Sequence, residues 1–332
     1  YQTSKDCLRS GDVKRSSIGL QKMKKLILLF LAFVVSSFAA PGFVLLETAK
    51  SGKELTKAVS DAVAKAGFVP ADERDLNVAF TKQFEHSDFE LYYNLTVFDA
   101  KALGGILPNN PKLAGFVPYT VLIYQKKGDK KSFVGFVKSE AISLATGVKD
   151  KKTLAVLKKS EQSLEKELKA ALKDSKEAKL SYMPTLKEDK ELFFEAAIKL
   201  KASENGIAKK EALQKEFEST LEVEGFKISN ITDVKSELEK VKVDMSKYEF
   251  FETYSICKLK VIYNASKERP EAGVFAPCSV YFYKLKGEAL IHIGFPPTKN
   301  WVVHTVITNS EYVKIMREAE DIPKNMLREA AE

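Results

Sequence analysis

The sequence is poor in the residues that usually carry chemistry. Its 332 residues include three cysteines, three histidines and one tryptophan. Three cysteines are too few for a small disulfide-stapled scaffold. There is no Cys-x-x-Cys and no paired histidine spacing, so no zinc-site pattern is present. The histidines (His86, His292 and His304) are scattered, and no Ser-His-Asp order or nucleophile elbow surrounds them. No Gly-rich phosphate loop is found, because Gly104-Gly105 is an isolated pair inside a connector. These absences leave no catalytic, metal or cofactor assignment.

One long apolar run occurs, near the start. Residues 23–39 read MKKLILLFLAFVVSSFA. Two lysines, an apolar stretch from Leu26 to Val35 and then small residues follow the order of a secretory signal peptide. The stretch is shorter than the ~20 apolar residues of a membrane span. We expect residues 1–22 to be an upstream leader, Met23 to be the start, and the mature chain to begin near Ala40 in the bacterial periplasm. No later segment is apolar enough to cross a bilayer. The formal charge of +8 is concentrated in residues 1–39, which hold seven of the 53 basic and two of the 45 acidic groups. The remainder carries 46 basic and 43 acidic groups, a net +3. That balance gives no electrostatic footprint for nucleic acid. Lys126-Lys127 and Lys130-Lys131 flank a turn glycine and read as a solvated hairpin tip.

What the sequence does have is a duplication. Residues 115–137 read GFVPYTVLIYQKKGDKKSFVGFV and residues 273–296 read GVFAPCSVYFYKLKGEALIHIGFP. Pro118 and Pro277, Tyr124 and Tyr283, Gly128 and Gly287, and Gly135 and Gly294 all stand 159 residues apart. A period this long means a duplicated domain rather than a solenoid. We expect repeat one over 40–178 and repeat two over 179–332. Within each, a helix ends in Gly-Phe and strands follow. In repeat one Ser51 opens the helix, and Leu55, Val59, Ala62 and Val63 form its apolar face. In repeat two Ala212, Phe217 and Leu221 lead to Gly225. Leu91–Phe98 matches Phe250–Cys257, and Tyr119–Tyr124 pairs with Phe133–Val137 through Gly128. Residues 151–176 place leucines at helical spacing, interrupted only by Glu161, and read as a closing amphipathic helix or, less simply, as a coiled coil. Asn309 or Ser310 starts its counterpart. Glu191–Leu200 fits the first strand of repeat two by position and a helix by composition.

Gly67-Phe68, Gly225-Phe226, Cys257 before a Lys-Leu-Lys turn, and Pro277-Cys278 resemble the family known as domain of unknown function 302. The resemblance covers most of both copies. It implies an α+β fold: two tandem copies of a helix packed on a curved, mainly antiparallel sheet, each closed by a C-terminal helix. It also implies that the tandem forms an intramolecular pseudo-dimer. Phe98 and Tyr119 stand where repeat two has its cysteines, and neither copy keeps the family's Asn-Pro after the first of them. The family supplies no activity.

Cys257 ends one strand and Cys278 begins the next. A disulfide, two buried thiols, and a reactive or metal-binding pair are the three readings, the first favoured by export. The aromatic residues Tyr92, Tyr93, Phe98, Tyr119, Phe251 and Tyr254 are candidates to line a cleft for a small apolar ligand; their alternative is plain core. The function expected is an exported tandem binding or assembly module, the alternative a thiol-dependent redox or metal-binding protein acting through Cys257 and Cys278.

Overall fold

The computed structural model describes residues 41–184 and 190–332. The leader 1–22 and the signal segment 23–39 lie outside the described residues. Repeat one is built from strands β1 (Phe43–Thr48), β2 (Val69–Asp75), β3 (Phe89–Phe98), β4 (Tyr119–Lys126), β5 (Ser132–Val137) and the short β6 (Lys176–Glu177), with helices α1 (Gly52–Lys65), α2 (Leu76–Phe84), α3 (Ala100–Gly104), α4 (Ser139–Thr146) and α5 (Lys151–Ala171). Repeat two has β7 (Phe194–Lys199), β8 (Lys227–Asp233), β9 (Tyr248–Cys257), β10 (Cys278–Leu285) and β11 (Leu290–Phe295), with α6 (Gly206–Val223), α7 (Val234–Lys240), α8 (Leu259–Glu268), α9 (Lys299–Thr305) and α10 (Ser310–Glu329). Each repeat is an α+β domain with an antiparallel sheet flanked by helices. The strand orders are β2-β3-β4-β5-β1-β6 and β7-β11-β10-β9-β8.

The 159-residue offset holds at the level of strand register. Leu122 pairs with Gly135 and Tyr281 with Gly294; Tyr124 pairs with Phe133 and Tyr283 with His292. The same bulge interrupts β3–β4 and β9–β10, at Phe89 and at Tyr248.

Burial explains why strands such as β1 run apolar without alternation. Val44 and Leu46 face α1 and α5, in a cluster with Val59, Val63, Leu164 and Leu168. Phe43 and Leu45 face the opposite way, into a larger cluster shared by both repeats. A sheet buried on both faces needs apolar residues at consecutive positions. The contacts between repeats are reciprocal. The helical turn Pro111–Phe116 packs on β10 and β11, and its counterpart Pro270–Phe275 packs on β4 and β5; α2 meets α8, α3 meets α7, and β2 meets β8. Tyr92 Oη donates to the Pro270 carbonyl at 2.7 Å and Tyr248 Oη to that of Pro108 at 2.8 Å. The two tyrosines are not equivalents, since Tyr92 corresponds to Phe251 and Tyr248 to Phe89, but the element contacts are isologous, as in a two-fold dimer built within one chain.

Several local expectations are corrected. Ser51 occupies the N-cap position of α1, but its side chain makes no capping hydrogen bond. Gly67 follows the helix with φ +96°, the left-handed conformation that favours glycine. In α6 the inward residue is Leu213, and Ala212 is exposed. Within Glu191–Leu200 a 3₁₀ turn ends at Leu192 and the strand Phe194–Lys199 follows, pairing with β11 along its length. The irregular stretch before β3 holds β2 and α2. The strand VPADERD is exposed at every position but the half-buried Asp72, so it carries no alternation to read.

Candidate functional site

The two outermost strands that meet, β2 and β8, leave a cleft of about 580 Å³ between the repeats. Repeat one provides one wall, with Arg74 on β2, Leu76, Ala79 and Lys82 on α2, and Asn94 and Thr96 on β3. Repeat two provides the other, with Lys227 and Ser229 on β8, then Cys257, Leu259 and Pro277. The polypeptide reaches this arrangement because Asp75 caps α2, accepting from the backbone N–H of Asn77 at 3.0 Å and of Val78 at 3.3 Å. That cap ends β2 and turns the helix along the cleft. Arg74 clamps the rim: Nε donates to Asp72 Oδ2 at 2.6 Å and Nη2 to the Ser229 carbonyl of the other repeat at 2.8 Å. Asn94 is buried, lies opposite Arg74 in the sheet, and donates from Nδ2 to the Ala276 carbonyl at 2.9 Å. That bond sets the amide orientation and leaves Oδ1 as an acceptor with no hydrogen-bond partner among the described residues. On the opposite side of the pseudo-dimer α3 closes onto repeat two, and a Cβ at Gly104 would run into the Val243 side chain.

Each repeat also encloses a small apolar cavity under its C-terminal helix, of about 50 Å³ in repeat one and about 30 Å³ in repeat two. Their linings correspond at the 159-residue offset, from Val97 and Ile256 through Tyr119 and Cys278 to Glu161 and Glu320. Glu161 accepts from Ser139 N–H at 2.8 Å and Ser139 Oγ at 2.5 Å, and from Lys158 Nζ at 2.7 Å. Glu320 accepts from Thr298 Oγ1 at 2.7 Å, Lys299 N–H at 3.3 Å and Lys324 Nζ at 2.7 Å. Burial pushes the Glu161 carboxyl up, but Lys158 and Ser139 outweigh it and the net shift is downward. The carboxylates are therefore caps that tie α5 to the start of α4 and α10 to the start of α9. This is why Glu161 interrupts the leucine stripe.

The matching cavities, register and carboxylate caps establish the duplication independently of any relative. A family model described as "Domain of unknown function DUF302" matches residues 45–174 and 206–330. The chain belongs to the DUF302 family. Among solved structures it is similar to an uncharacterized conserved DUF302 protein from Bacillus stearothermophilus, at 18% identity over 42% of this chain and 98% of that one, with a TM-score of 0.34. No curated protein matches.

Within this tandem DUF302 chain the expected site residues disperse. Cys257 and Cys278 are both free, which corrects the disulfide expectation. Directly opposite Cys278 stands Ile256, and Cys257 pairs with Lys227 on the other side of β9. Successive side chains of a strand alternate in direction, so the one-residue offset keeps the thiols from facing each other as a cross-strand pair, although both touch the small cavity of repeat two. Tyr119 stands in the same register opposite Val97, so the two copies share one backbone here. Burial raises Cys257 to about 11 and, with Cys257 and Glu320 nearby, Cys278 to about 12. Protonated thiols are weak nucleophiles. Among the described residues no group of three or more metal-binding side chains converges.

The aromatic candidates do not line one cleft. Tyr92, Phe98, Phe251 and Tyr254 belong to the core cluster. Tyr92 serves the repeat interface, and Tyr254 donates to Glu218 Oε1 at 2.8 Å. Tyr93 donates to Glu73 Oε2 at the surface. Tyr119 alone reaches a cavity, the small one in repeat one, where it stacks on Phe68 with ring centroids 6.2 Å apart. The inter-repeat cleft was invisible to sequence reasoning because its walls are mostly short or charged residues from segments without periodicity. His304 is fully buried, stacked on Phe275, and neither ring nitrogen has a hydrogen-bond partner among the described residues. Burial lowers its pKa to about 4. No described helix is long and apolar enough to cross a membrane.

Proposed function

We propose that this tandem DUF302 protein is a binding module that holds a small ligand in the cleft between its repeats. The observation that carries the reading is the cleft itself. Its volume of about 580 Å³ falls in the range of roughly 300–1,000 Å³ usual for small-molecule sites, whereas the paired cavities of about 50 and 30 Å³ do not. Leu76, Ala79, Leu259 and Pro277 provide an apolar floor and the polar groups form the rim, the division of labour that buries a ligand and orients it. Because both repeats contribute, duplication itself would create the site.

The proposal includes export through residues 23–39, repeats bounded at 40–178 and 179–332, and sheets curved about their helices. Ligand-observed NMR with a fragment library tests the binding reading. Hits should be lost in Ala79→Trp, which fills the cleft from α2. Hits unaffected by that substitution, in a variant that unfolds like the wild type, overturn the cleft as the site. Expression in an export-competent bacterial host tests the rest: cleavage near Ala39 is expected, and an unprocessed cytoplasmic product argues against it.

A further inference from the structure

The charges around the cleft are not balanced where a ligand would meet them. Two carboxylates line it, and both are committed. Asp72 accepts from Arg74, and Asp75 is held by the first backbone amides of α2. Of the three cations in the lining, Arg74 is bonded to Asp72 and to the Ser229 carbonyl. Lys82 on α2 and Lys227 on β8 are exposed and have no ion-pair partner among the described residues. They come from opposite walls, one from each repeat. The Arg74 charge also reaches the cleft floor, where it acts on the Cys257 thiol in the direction opposite to burial. The same lining carries apolar surface from Leu76, Ala79 and Leu259. Asn94 also belongs to the lining but is almost wholly buried at 5% exposure, held by its bond to the Ala276 carbonyl.

We infer that the cleft takes a small organic anion with an apolar body, its charged head between Lys82 and Lys227 and its body over Leu76, Ala79 and Leu259. This inference rests on the cleft being the ligand site, as proposed above. Charge complementarity of this kind selects among ligands of equal apolar area. It requires a positive field where the ligand's head arrives: Asp72 is paired with Arg74, and the two lysines exceed the remaining carboxylate, Asp75, by one charge.

The test uses the full chain and two fluorescent probes with closely similar aromatic bodies. 1-Anilinonaphthalene-8-sulfonate carries an anionic head; N-phenyl-1-naphthylamine lacks it. The anion should bind at one site per chain and at least about tenfold more tightly than the neutral probe. The Lys82→Gln, Lys227→Gln double variant, altered only at exposed positions, should lose that preference and bind both probes alike. Ala79→Trp or Leu259→Trp, each checked by its unfolding curve, should remove both probes. Displacement of the bound anion by octanoate or octyl phosphate shows which head is accepted, and either result supports the inference. Displacement by neutral octanol but by neither anion overturns it. Anionic binding unchanged in the double lysine variant also overturns it, while leaving the cleft as the site. If neither probe binds the wild type, or binding survives both tryptophan variants, the cleft reading itself falls.

Discussion

The two repeats keep the same strand pairs and spend them differently. In repeat one α5 lies along α1 over the sheet, and β6 adds a short sixth strand against β1. In repeat two α10 packs on α6, α8 and β7, and the sheet has five strands. Register, bulges and the carboxylate caps recur, whereas the residues that fill the space around them diverge. Phe98 and Tyr119 correspond to Cys257 and Cys278, Asp99 to Lys258, Ser160 to Ala319, and Ala145 to His304. A backbone ladder accepts any side chain that fits its volume. A buried helix start needs a specific acceptor at a specific distance. The comparison therefore separates positions held by hydrogen-bond geometry from positions held by volume alone.

The sharpest way to test that separation is to remove the caps. Glu161→Ala should destabilise the fold by about 3 kcal/mol, since a nearly buried carboxylate with charge-assisted hydrogen bonds is lost and the Ser139 N–H and hydroxyl are left without their acceptor. Glu320→Ala, at a more exposed site, should cost about half as much. Urea unfolding of both variants decides it; equal, negligible losses would break the distinction between the two kinds of position.

The Ala145–His304 pair offers an asymmetric test of similar size. His304 must be neutral in the folded protein, because burial depresses its pKa from 6.5 to about 4. The unfolded chain therefore binds more protons between these values, and stability falls as pH drops from 6.5 towards 4. By linkage the loss approaches about 3 kcal/mol. His304→Phe, which retains an aromatic ring against Phe275, should flatten that limb of the stability profile. An unchanged limb would show that the acid sensitivity lies elsewhere.

A smaller effect is expected where the repeats touch through glycine. A Cβ at Gly273 would meet the Tyr92 hydroxyl and approach Leu122 at 3.0 Å. Gly273→Ala should cost about 1–3 kcal/mol by overpacking and should loosen the interface between repeats. Hydrogen exchange at β4 and at the Pro270–Phe275 turn would report it; protection at wild-type levels in the variant would show that the approach is not tight. The smallest effect belongs to the cysteines. With both thiols free, reductant should leave the unfolding midpoint unchanged, and Cys257→Ser with Cys278→Ser should cost no more than about 2 kcal/mol for placing hydroxyls in apolar surroundings. A midpoint that falls under reductant would restore the disulfide.

Read alone, the sequence carries the duplication and most of the elements with apolar periodicity, down to Leu55, Val59, Ala62 and Val63 on α1, while the α+β class came with the family resemblance. Those features are local or repeat at a constant offset, so they survive in one dimension. It also marked Glu161 as an interruption without explaining it. The rest depends on contacts between distant segments. The register of β9 and β10 set Ile256 rather than Cys257 opposite Cys278, although their strands are neighbours as expected. The interface between repeats drew Tyr92 into the core and gave its hydroxyl a partner 178 residues away. The cleft joins Lys82 to Lys227 and Ala79 to Leu259, pairs with no shared periodicity, because a site assembled from two edge strands and two helix faces exists only once the repeats dock.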